Sequence, residues 1–244
     1  MSNKKILPSP HPWRLCPFGK HWVKEHDRKV SISSKNPLGV TSVEGHCRTN
    51  TSKQEILIKD EILEIAKLRI KDVKMLPTPD DLGFPNGNTY DQKIGLWTQF
   101  WNEIYNPDIS LDPNLVKALI ASESGFNTEI STSTKLKGTG KANGLIQITE
   151  STRKILQDSK GELKNYLVFL TKEDIYDPDL NLAAGICWLF HKRDLLSKRI
   201  KRSATWEESV MEYKGLNYQI EKGGKKAIRI KNKFETTLKR LREK

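Results

Sequence analysis

The most constraining feature of the sequence is the stretch DPDLNLAAGICWLF at residues 177–190, which is apolar nearly all round a helix. A helix at the surface of a protein keeps one polar face, so a helix that is hydrophobic on every side must be buried. Such a helix needs other elements packed around it. The sequence therefore predicts a domain built round residues 177–190.

Helical spacing or capping signals predict four more helices. They lie ahead of Asn106-Pro107, after Asp112, between Thr205 and Gly215, and over residues 225–242. Asp112 is a typical N-cap before Pro113, and Thr205 with Glu208 has the spacing of a capping box. No strand pattern of comparable strength follows residue 90. The main domain, residues 91–244, is therefore predicted to be mostly α, with a basic C-terminal helix.

The N-terminal part differs in composition from the main domain. Residues 1–52 hold four of the five histidines and two of the three cysteines, and the pattern Val-x-x-His-x-Arg occurs at 23–28 and again at 43–48. This repeat predicts two like extended segments that pair with each other. Residues 53–70 have the apolar spacing of one amphipathic helix. We therefore predict a small Cys/His-rich module at residues 1–52, with short β structure, and a helix and linker at 53–90.

The Cys/His-rich module is a candidate structural zinc site. Thiol and imidazole are the usual zinc ligands, and so short a segment cannot build its own core. The expected ligands are Cys16, His26, His46 and Cys47, with His21 as an alternative. The cysteines are too few and too far apart to predict a disulfide framework. The alternative is that the His-x-Arg pairs pack against tryptophans or bind anionic groups.

The C-terminus carries most of the charge asymmetry. The formal net charge of the chain is +12, and residues 225–244 are strongly basic. Acidic wall polymer, nucleic acid or anionic membrane would match that charge, and a solvated helix face is the alternative. No run reaches the roughly 18 apolar residues that a membrane span needs. The stretch MSNKKILPSPHPWRL also lacks the apolar region of a secretory signal.

Glu123, in the stretch ALIASESGFN at residues 118–127, is the acid with the most informative position. It follows Ile120 by three residues and Leu119 by four, so a helix places it on the same inward face. Burial disfavours the charged carboxylate and raises its pKa, which a general acid needs near neutral pH. The alternative is an inert carboxylate at a helix end that pairs with a lysine or meets water.

Four motifs carry a family resemblance. Glu-Ser-Gly-Phe-Asn at 123–127 is followed by Gly-Leu-Ile-Gln-Ile at 144–148, Asp-Pro-x-x-Asn-Leu-x-x-Gly at 177–185 and Glu-Tyr-Lys-Gly at 212–215. In this order, over about residues 92–220, the chain resembles the soluble lytic transglycosylases, which are relatives of goose-type lysozymes. The resemblance implies a lysozyme-like helical domain. It also implies cleavage of the β-1,4 bond between N-acetylmuramic acid and N-acetylglucosamine in peptidoglycan.

The resemblance also implies roles for individual residues. Glu123 corresponds to the catalytic acid of the family, and the residues expected to line the substrate cleft are Ser124, Gly144, Leu145, Gln147 and Tyr213. Gln147 is expected near the sugar and Tyr213 near the catalytic carboxyl. Asn181 and Gly185 fall on the buried helix, where they would pack or position other groups. The family often has Tyr-Asn-x-Gly at the last motif, and this chain has Lys214 where that Asn would stand.

One carboxylate suffices for the implied reaction. The C6 hydroxyl of muramic acid attacks the anomeric carbon and gives a 1,6-anhydro end, while Glu123 protonates the leaving oxygen and then accepts the hydroxyl proton. No cofactor is expected for catalysis. A goose-type hydrolase is one alternative, with Glu129 and Glu150 as the nearest further acids in sequence. A non-catalytic protein that binds peptidoglycan or another polyanion is a second alternative.

The same resemblance sets the expected partners and location. Glycan strands are the expected ligand, with a component of secretion machinery, a phage structural protein or an immunity protein as candidate partners, and nucleic acid is not expected. We expect synthesis in the bacterial cytoplasm. The protein would then act on the wall, in the periplasm or outside the cell, after non-classical export or lysis.

Overall fold

The computed structural model describes residues 13–133 and 138–244. The first twelve residues of the predicted module, and with them most of the stretch MSNKKILPSPHPWRL, lie outside the described residues.

The N-terminal part contains, in chain order, strands β1 (Lys20–Val23), β2 (His26–Lys29), β3 (Val40–Val43), β4 (His46–Thr49) and β5 (Glu55–Ile58) and helix α1 (Lys59–Arg69). The rest of the chain contains helices α2 (Asp91–Tyr105) and α3 (Pro113–Glu123), strands β6 (Ser131–Ser133), β7 (Lys141–Asn143) and β8 (Ile148–Thr149), helix α4 (Glu150–Leu156), strand β9 (Tyr166–Phe169), and helices α5 (Pro178–Ile200), α6 (Trp206–Tyr213), α7 (Asn217–Glu221) and α8 (Lys225–Arg242). The fold is mostly α, which confirms the predicted class.

The long helix α5 is the centre of the molecule. Every side chain from Leu180 to Phe190 is buried, and α1, α2 and α6 all pack against this helix. Trp101 of α2 lies in the same core and donates an indole hydrogen bond to the Ala183 carbonyl at 2.8 Å. The prediction that residues 177–190 form the buried centre is confirmed.

The predicted helix signals also hold. The Asp112 side chain accepts a hydrogen bond from the Asn114 amide at the start of α3. Thr205 and Glu208 form the complete capping box at the start of α6. These two caps satisfy amide groups that a helix cannot bond internally, so they fix where α3 and α6 begin.

Residues 53–70 do not form one helix, so that prediction is wrong for its first part. Glu55–Ile58 is strand β5, which pairs in parallel with β9, and the helix begins only at Lys59. Ile56 and Leu57 are buried in this pairing, and β-branched or bulky apolar side chains suit a pleated, covered strand. β5 and α1 share one core with α5, which makes the joining segment part of the packed body.

Short strands after residue 90 were missed as well. β6, β7 and β8 form a three-stranded antiparallel sheet, and β9 is the partner of β5. The longest of these four strands has four residues. A pattern of period two cannot be recognised over so few positions, because it needs several alternations to stand out.

The two repeats of the N-terminal module pair with each other, as predicted. β1 is antiparallel to β4, with Val23 opposite His46, and β2 is antiparallel to β3, with His26 opposite Val43. The two copies of Val-x-x-His-x-Arg thus face each other in opposite directions.

The expectation of a zinc site on the two cysteines is wrong, because Cys16 and Cys47 form a disulfide. Neither sulfur is then a thiolate, which is the form that binds zinc. The rings of His26 and His46 lie 6.4 Å apart, and each donates a hydrogen bond from Nδ1 to the main-chain carbonyl two residues earlier. His21 bonds Asn50. Within residues 13–133 and 138–244, no three His, Cys, Asp or Glu side chains are grouped to hold a metal ion.

A buried ion pair fastens the module to the helical body. Arg14 is buried, and its guanidinium donates to both carboxylate oxygens of Glu61 in α1, at 2.6 and 3.1 Å. The same guanidinium also donates to the carbonyls of Lys20 and Ile56. We call Arg14, Glu61 and the main-chain groups they bond the anchor cluster.

The loop at residues 76–89 is tied down by polar contacts. Lys117 of α3 is fully buried, and its ammonium donates to the Thr78 carbonyl, the Asn88 side chain and Asp91. Arg240 of α8 donates two hydrogen bonds to Asp80. The loop therefore lies against α3 and α8.

No helix in the described part of the chain has the length and apolar content to cross a membrane.

Candidate active site

Glu123 is the last residue of α3, and the turn that follows fixes its position. Leu119 and Ile120 are fully buried on the face that Glu123 shares, as the spacing predicted. Gly125 has a φ of +59°, a value that glycine adopts without strain, and a side chain there would press on the ring of Phe84. Phe126 is fully buried and anchors the turn. The carboxyl therefore lies where the core meets the surface.

Ser124 serves this turn. Its side chain is buried, its hydroxyl donates to the Ile120 carbonyl at 3.4 Å, and it accepts the amide hydrogen of Phe126 at 3.2 Å. A serine hydroxyl that caps a helix end in this way stabilises a turn that would otherwise leave main-chain groups unbonded. In this structure Ser124 therefore stabilises the main-chain turn that follows Glu123.

The Glu123 carboxylate forms an ion pair with Lys214. The Lys214 ammonium lies 2.6 Å from Glu123 Oε1 and 3.1 Å from the Ser122 hydroxyl. The Lys214 side chain is 9% exposed and that of Glu123 18%. Burial raises the pKa of Glu123, and the nearby ammonium of Lys214 opposes that rise without cancelling it. The site thus holds an acid that keeps its proton to higher pH than an ordinary glutamic acid.

Tyr213 stands next to this pair on α6. Its hydroxyl donates to the Ile146 carbonyl at 2.8 Å, so the ring joins α6 to the Gly144–Ile148 segment. Burial raises the pKa of Tyr213 well above its ordinary value, and the charge of Glu123 raises it further. The phenol therefore stays neutral near Glu123. The expected proximity of these two side chains agrees with this electrostatic coupling.

The Gly144 segment is held against α5 by Asn181. The Asn181 side chain is fully buried, accepts the Ile146 amide hydrogen at 2.9 Å, and donates to the Ile175 and Asn143 carbonyls. Gly144 has a φ of +75°, and any side chain there would overlap Asn181. A side chain at Gly185 would likewise overlap Ile146. Both glycines allow the segment to lie directly on the central helix.

Leu145 and Gln147 are both turned into the protein. Leu145 is fully buried in the core. The Gln147 side chain donates to the Gly144 and Ile130 carbonyls and accepts the Thr132 hydroxyl hydrogen at 2.5 Å. Gln147, which directly precedes β8, thus ties this end of β8 to Thr132 of β6. In this conformation neither side chain offers a free polar group to a ligand.

The other acids near these motifs have different surroundings. Glu129 is exposed. Glu150 forms a double hydrogen bond with Arg153, which lowers the pKa of Glu150. Glu150 also lines a cavity of about 390 Å³, together with Ser131, Lys141, Asn143 and Tyr176. Asn143, which lines this cavity, directly precedes Gly144.

The structure therefore brings Glu123, Lys214 and Tyr213 together and places the Gly144 segment beside them through the Tyr213 hydrogen bond. Sequence reasoning recorded Lys214 only as a departure from the family pattern and did not pair it with Glu123. The sequence carried no local signal for this pair, because consecutive residues of a helix such as Tyr213 and Lys214 point in different directions. The sequence left open whether Asn181 packs in the core or positions other groups, and its hydrogen bonds to the Gly144 segment favour positioning.

Comparison with known protein families places residues 102–229 in the family model described as "Transglycosylase SLT domain". This match covers the four motifs and runs from α2 into the first turns of α8. Searches of curated proteins and of solved structures return no match to the chain.

Proposed function

This chain belongs to the transglycosylase SLT domain family, and we propose that it is a peptidoglycan lytic transglycosylase that uses Glu123 as its acid and base. The bond cleaved is the β-1,4 linkage between N-acetylmuramic acid and N-acetylglucosamine. The product is a glycan that ends in 1,6-anhydro-muramic acid.

In the proposed reaction, Glu123 handles both proton transfers. The protonated carboxyl gives its proton to the glycosidic oxygen as the bond from that oxygen to the anomeric carbon breaks. The C6 hydroxyl of the muramic acid then bonds to the anomeric carbon and returns its proton to the carboxylate. Glu123 ends protonated, as it began, and no water enters the product.

The observation that carries the proposal is the burial of Glu123 at the end of α3, inside the family match, which raises the pKa of this carboxyl. An exposed glutamic acid is almost fully ionised near neutral pH, so it has no proton to give. Retaining or inverting glycosidases place a second carboxylate across the scissile bond. Glu129 is exposed and Glu150 is held by Arg153, so their surroundings favour a mechanism that needs one acid.

Tyr213, Asn181 and the Gly144 segment would support this chemistry by position. Tyr213 stays neutral and keeps its hydroxyl on the Ile146 carbonyl, so it holds the segment without adding charge beside the acid. Ser124, Leu145 and Gln147 keep the two motifs in shape. We propose that substrate contacts in this region come from main-chain groups of the segment.

The Cys16–Cys47 disulfide supports a site of action outside the reducing cytoplasm. Disulfides of this kind persist in the periplasm or outside the cell and are reduced in the cytosol. We therefore propose that the protein leaves the cytoplasm and that the disulfide forms in the periplasm or outside the cell.

The test is digestion of purified peptidoglycan with the intact protein, with Glu123→Gln, and with Glu221→Gln as the matched control, because Glu221 is an exposed acid. The released muropeptides are identified by mass spectrometry. We expect products one water lighter than hydrolysed ones from the intact protein and the control, and none from Glu123→Gln.

Two other outcomes would change the assignment. Products with reducing ends would indicate a goose-type hydrolase, and Glu129→Gln and Glu150→Gln would then identify the second carboxylate. Release of no products, together with retention on insoluble peptidoglycan, would indicate a binding protein.

A further inference from the structure

The ion pair between Lys214 and Glu123 has a consequence for the resting enzyme. Lys214 lies 2.6 Å from the oxygen of the acid, and both side chains are largely buried. An ammonium at this distance opposes the rise in the pKa of Glu123 that burial causes, and so reduces the protonated fraction that a general acid needs. The ammonium also occupies one lone pair of Oε1. A substrate group that draws Lys214 away from Glu123 would therefore favour the protonated acid.

An ammonium this close to a buried carboxylate does not leave without another negative partner, because an unpaired buried charge is costly. A neutral glycan offers hydroxyl and acetamido groups only. A glycan that carries carboxylates, on the lactyl group of muramic acid or on its peptide stem, offers Lys214 a negative partner in place of Glu123. The substrate can thus supply the exchange partner itself.

We propose that Lys214 is a positioning residue that reserves Glu123 for glycans bearing a carboxylate. The substrate carboxylate takes over the Lys214 ammonium, and a larger fraction of the freed Glu123 then takes up a proton from water and becomes competent as an acid. This inference rests on the proposed function for its substrate class. The ion pair itself is a property of the resting protein.

The surroundings of Glu123 leave Lys214 as the controlling charge. From α6, Lys214 and the neutral Tyr213 face it. The ion pairs that α2 and α8 make with α3 or its N-cap involve Asp91 and Arg242, which bond Lys117 and Asp112 towards the other end of that helix. Among residues 13–133 and 138–244, Lys214 is the one charged group that shifts the pKa of Glu123, and it lowers that pKa.

The first experiment titrates Glu123 directly, by carbon NMR of protein labelled at the glutamate carboxyl carbons, with Glu123→Gln to assign the signal. Lys214→Met removes the ammonium, and Lys239→Met is the matched control because Lys239 sits in an exposed pair with Glu243. We expect Glu123 in Lys214→Met to titrate at higher pH than in the intact protein. Lys239→Met and the charge-conserving Lys214→Arg should leave that pH close to its original value.

The second experiment adds ligands to the same titration. N-Acetylmuramic acid, which has a free lactyl carboxylate, should raise the pH at which Glu123 titrates in the intact protein but not in Lys214→Met. N-Acetylglucosamine, which is neutral, should have no effect. A stem-bearing disaccharide with its lactyl group in amide linkage distinguishes the two sources, because it shifts Glu123 only if the stem carboxylates are the partner.

Neither titration needs turnover, so the result stands even if no glycan is cleaved. An unchanged titration in Lys214→Met, or the absence of a shift with both carboxylate ligands, would overturn the inference. With an active enzyme, the rate ratio between peptidoglycan strands and neutral chito-oligosaccharides should fall in Lys214→Met, since Glu123 then needs no carboxylate ligand to lose the ammonium. A retained ratio would also contradict it.

Discussion

Two buried carboxylates of this protein have opposite surroundings. Glu61, in the anchor cluster, is fully buried and accepts hydrogen bonds from the Arg14 guanidinium, the Trp22 amide and the Leu15 amide. Glu123 is partly exposed, and Lys214 is the one hydrogen-bond donor to it in the described part of the chain. A carboxylate bonded by several donors holds those groups in place, whereas one with free lone pairs and one removable partner can take a proton. The number of hydrogen-bond donors therefore distinguishes Glu61, a structural carboxylate, from Glu123, the candidate acid.

The largest expected effect comes from removing the acid of the second site. Glu123→Gln keeps the shape of the side chain but cannot donate or accept the reacting proton. We expect the rate of muropeptide release to fall by at least about 10³-fold, equal to roughly 4 kcal/mol in the activation barrier. The measurement is the initial rate on peptidoglycan at constant protein concentration. A variant with near-normal rate would show that Glu123 is not the acid.

The matching change in the anchor cluster should act on stability. Glu61→Gln leaves the buried Arg14 charge with only the longer contact to Glu55, at 3.4 Å, and breaking a buried pair costs up to about 3–5 kcal/mol. Chemical denaturation, followed by far-ultraviolet circular dichroism, measures the change. We expect the activity per folded molecule to remain. Loss of activity in fully folded Glu61→Gln would blur the distinction between the two carboxylates.

Loss of the disulfide should have a smaller effect on the same module. Cys47→Ser opens a loop of 31 residues between the paired cysteines, and such a cross-link is worth about 2–4 kcal/mol. Thermal unfolding with and without a reducing agent measures it, and the reductant should change the intact protein but not the variant. An equal response of both proteins to the reductant would show that Cys47 is not paired.

The smallest effect is a dependence of stability on pH. The folded-state pKa of Glu123 is raised above the ordinary value of 4.5, so the folded protein keeps a proton that the unfolded chain has lost. Stability must then fall as pH rises from 4.5 through the folded pKa. Glu123→Gln lacks this term, so the variant should gain stability relative to the intact protein over that interval. Unfolding free energies at a series of pH values provide the measurement, and a gain in the opposite direction would contradict the raised pKa.

The parts of this comparison that the sequence predicted are those with local causes. The buried helix, the Asp112 cap and the capping box at Thr205 depend on neighbours within a few residues, and all three are present. Glu123 on the inward face followed from helical spacing in the same way. A local pattern is sufficient for such features, because the interaction closes within one or two turns.

The remaining features depend on partners far away in sequence. The disulfide, the β5–β9 pair and the Lys214–Glu123 ion pair each join residues whose proximity only the folded chain establishes. The cysteines were interpreted as zinc ligands because they lie near histidines and are few and far apart in sequence, and only the fold brings Cys16 and Cys47 together. Likewise, the apolar spacing of residues 55–58 suits a helix or a strand, and the partner strand decided it.

The parallel pairing of β5 with β9 has a consequence for how this protein folds during synthesis. Glu55 lies opposite Tyr166, which the ribosome adds more than a hundred residues later. At about 5–20 residues per second, Ile56 and Leu57 wait for several seconds with their apolar surface uncovered. Closing so long a loop also carries an entropic cost that local helices avoid. Folding of the N-terminal module onto the helical body should therefore be a late event, and the nascent chain is most open to chaperones before it.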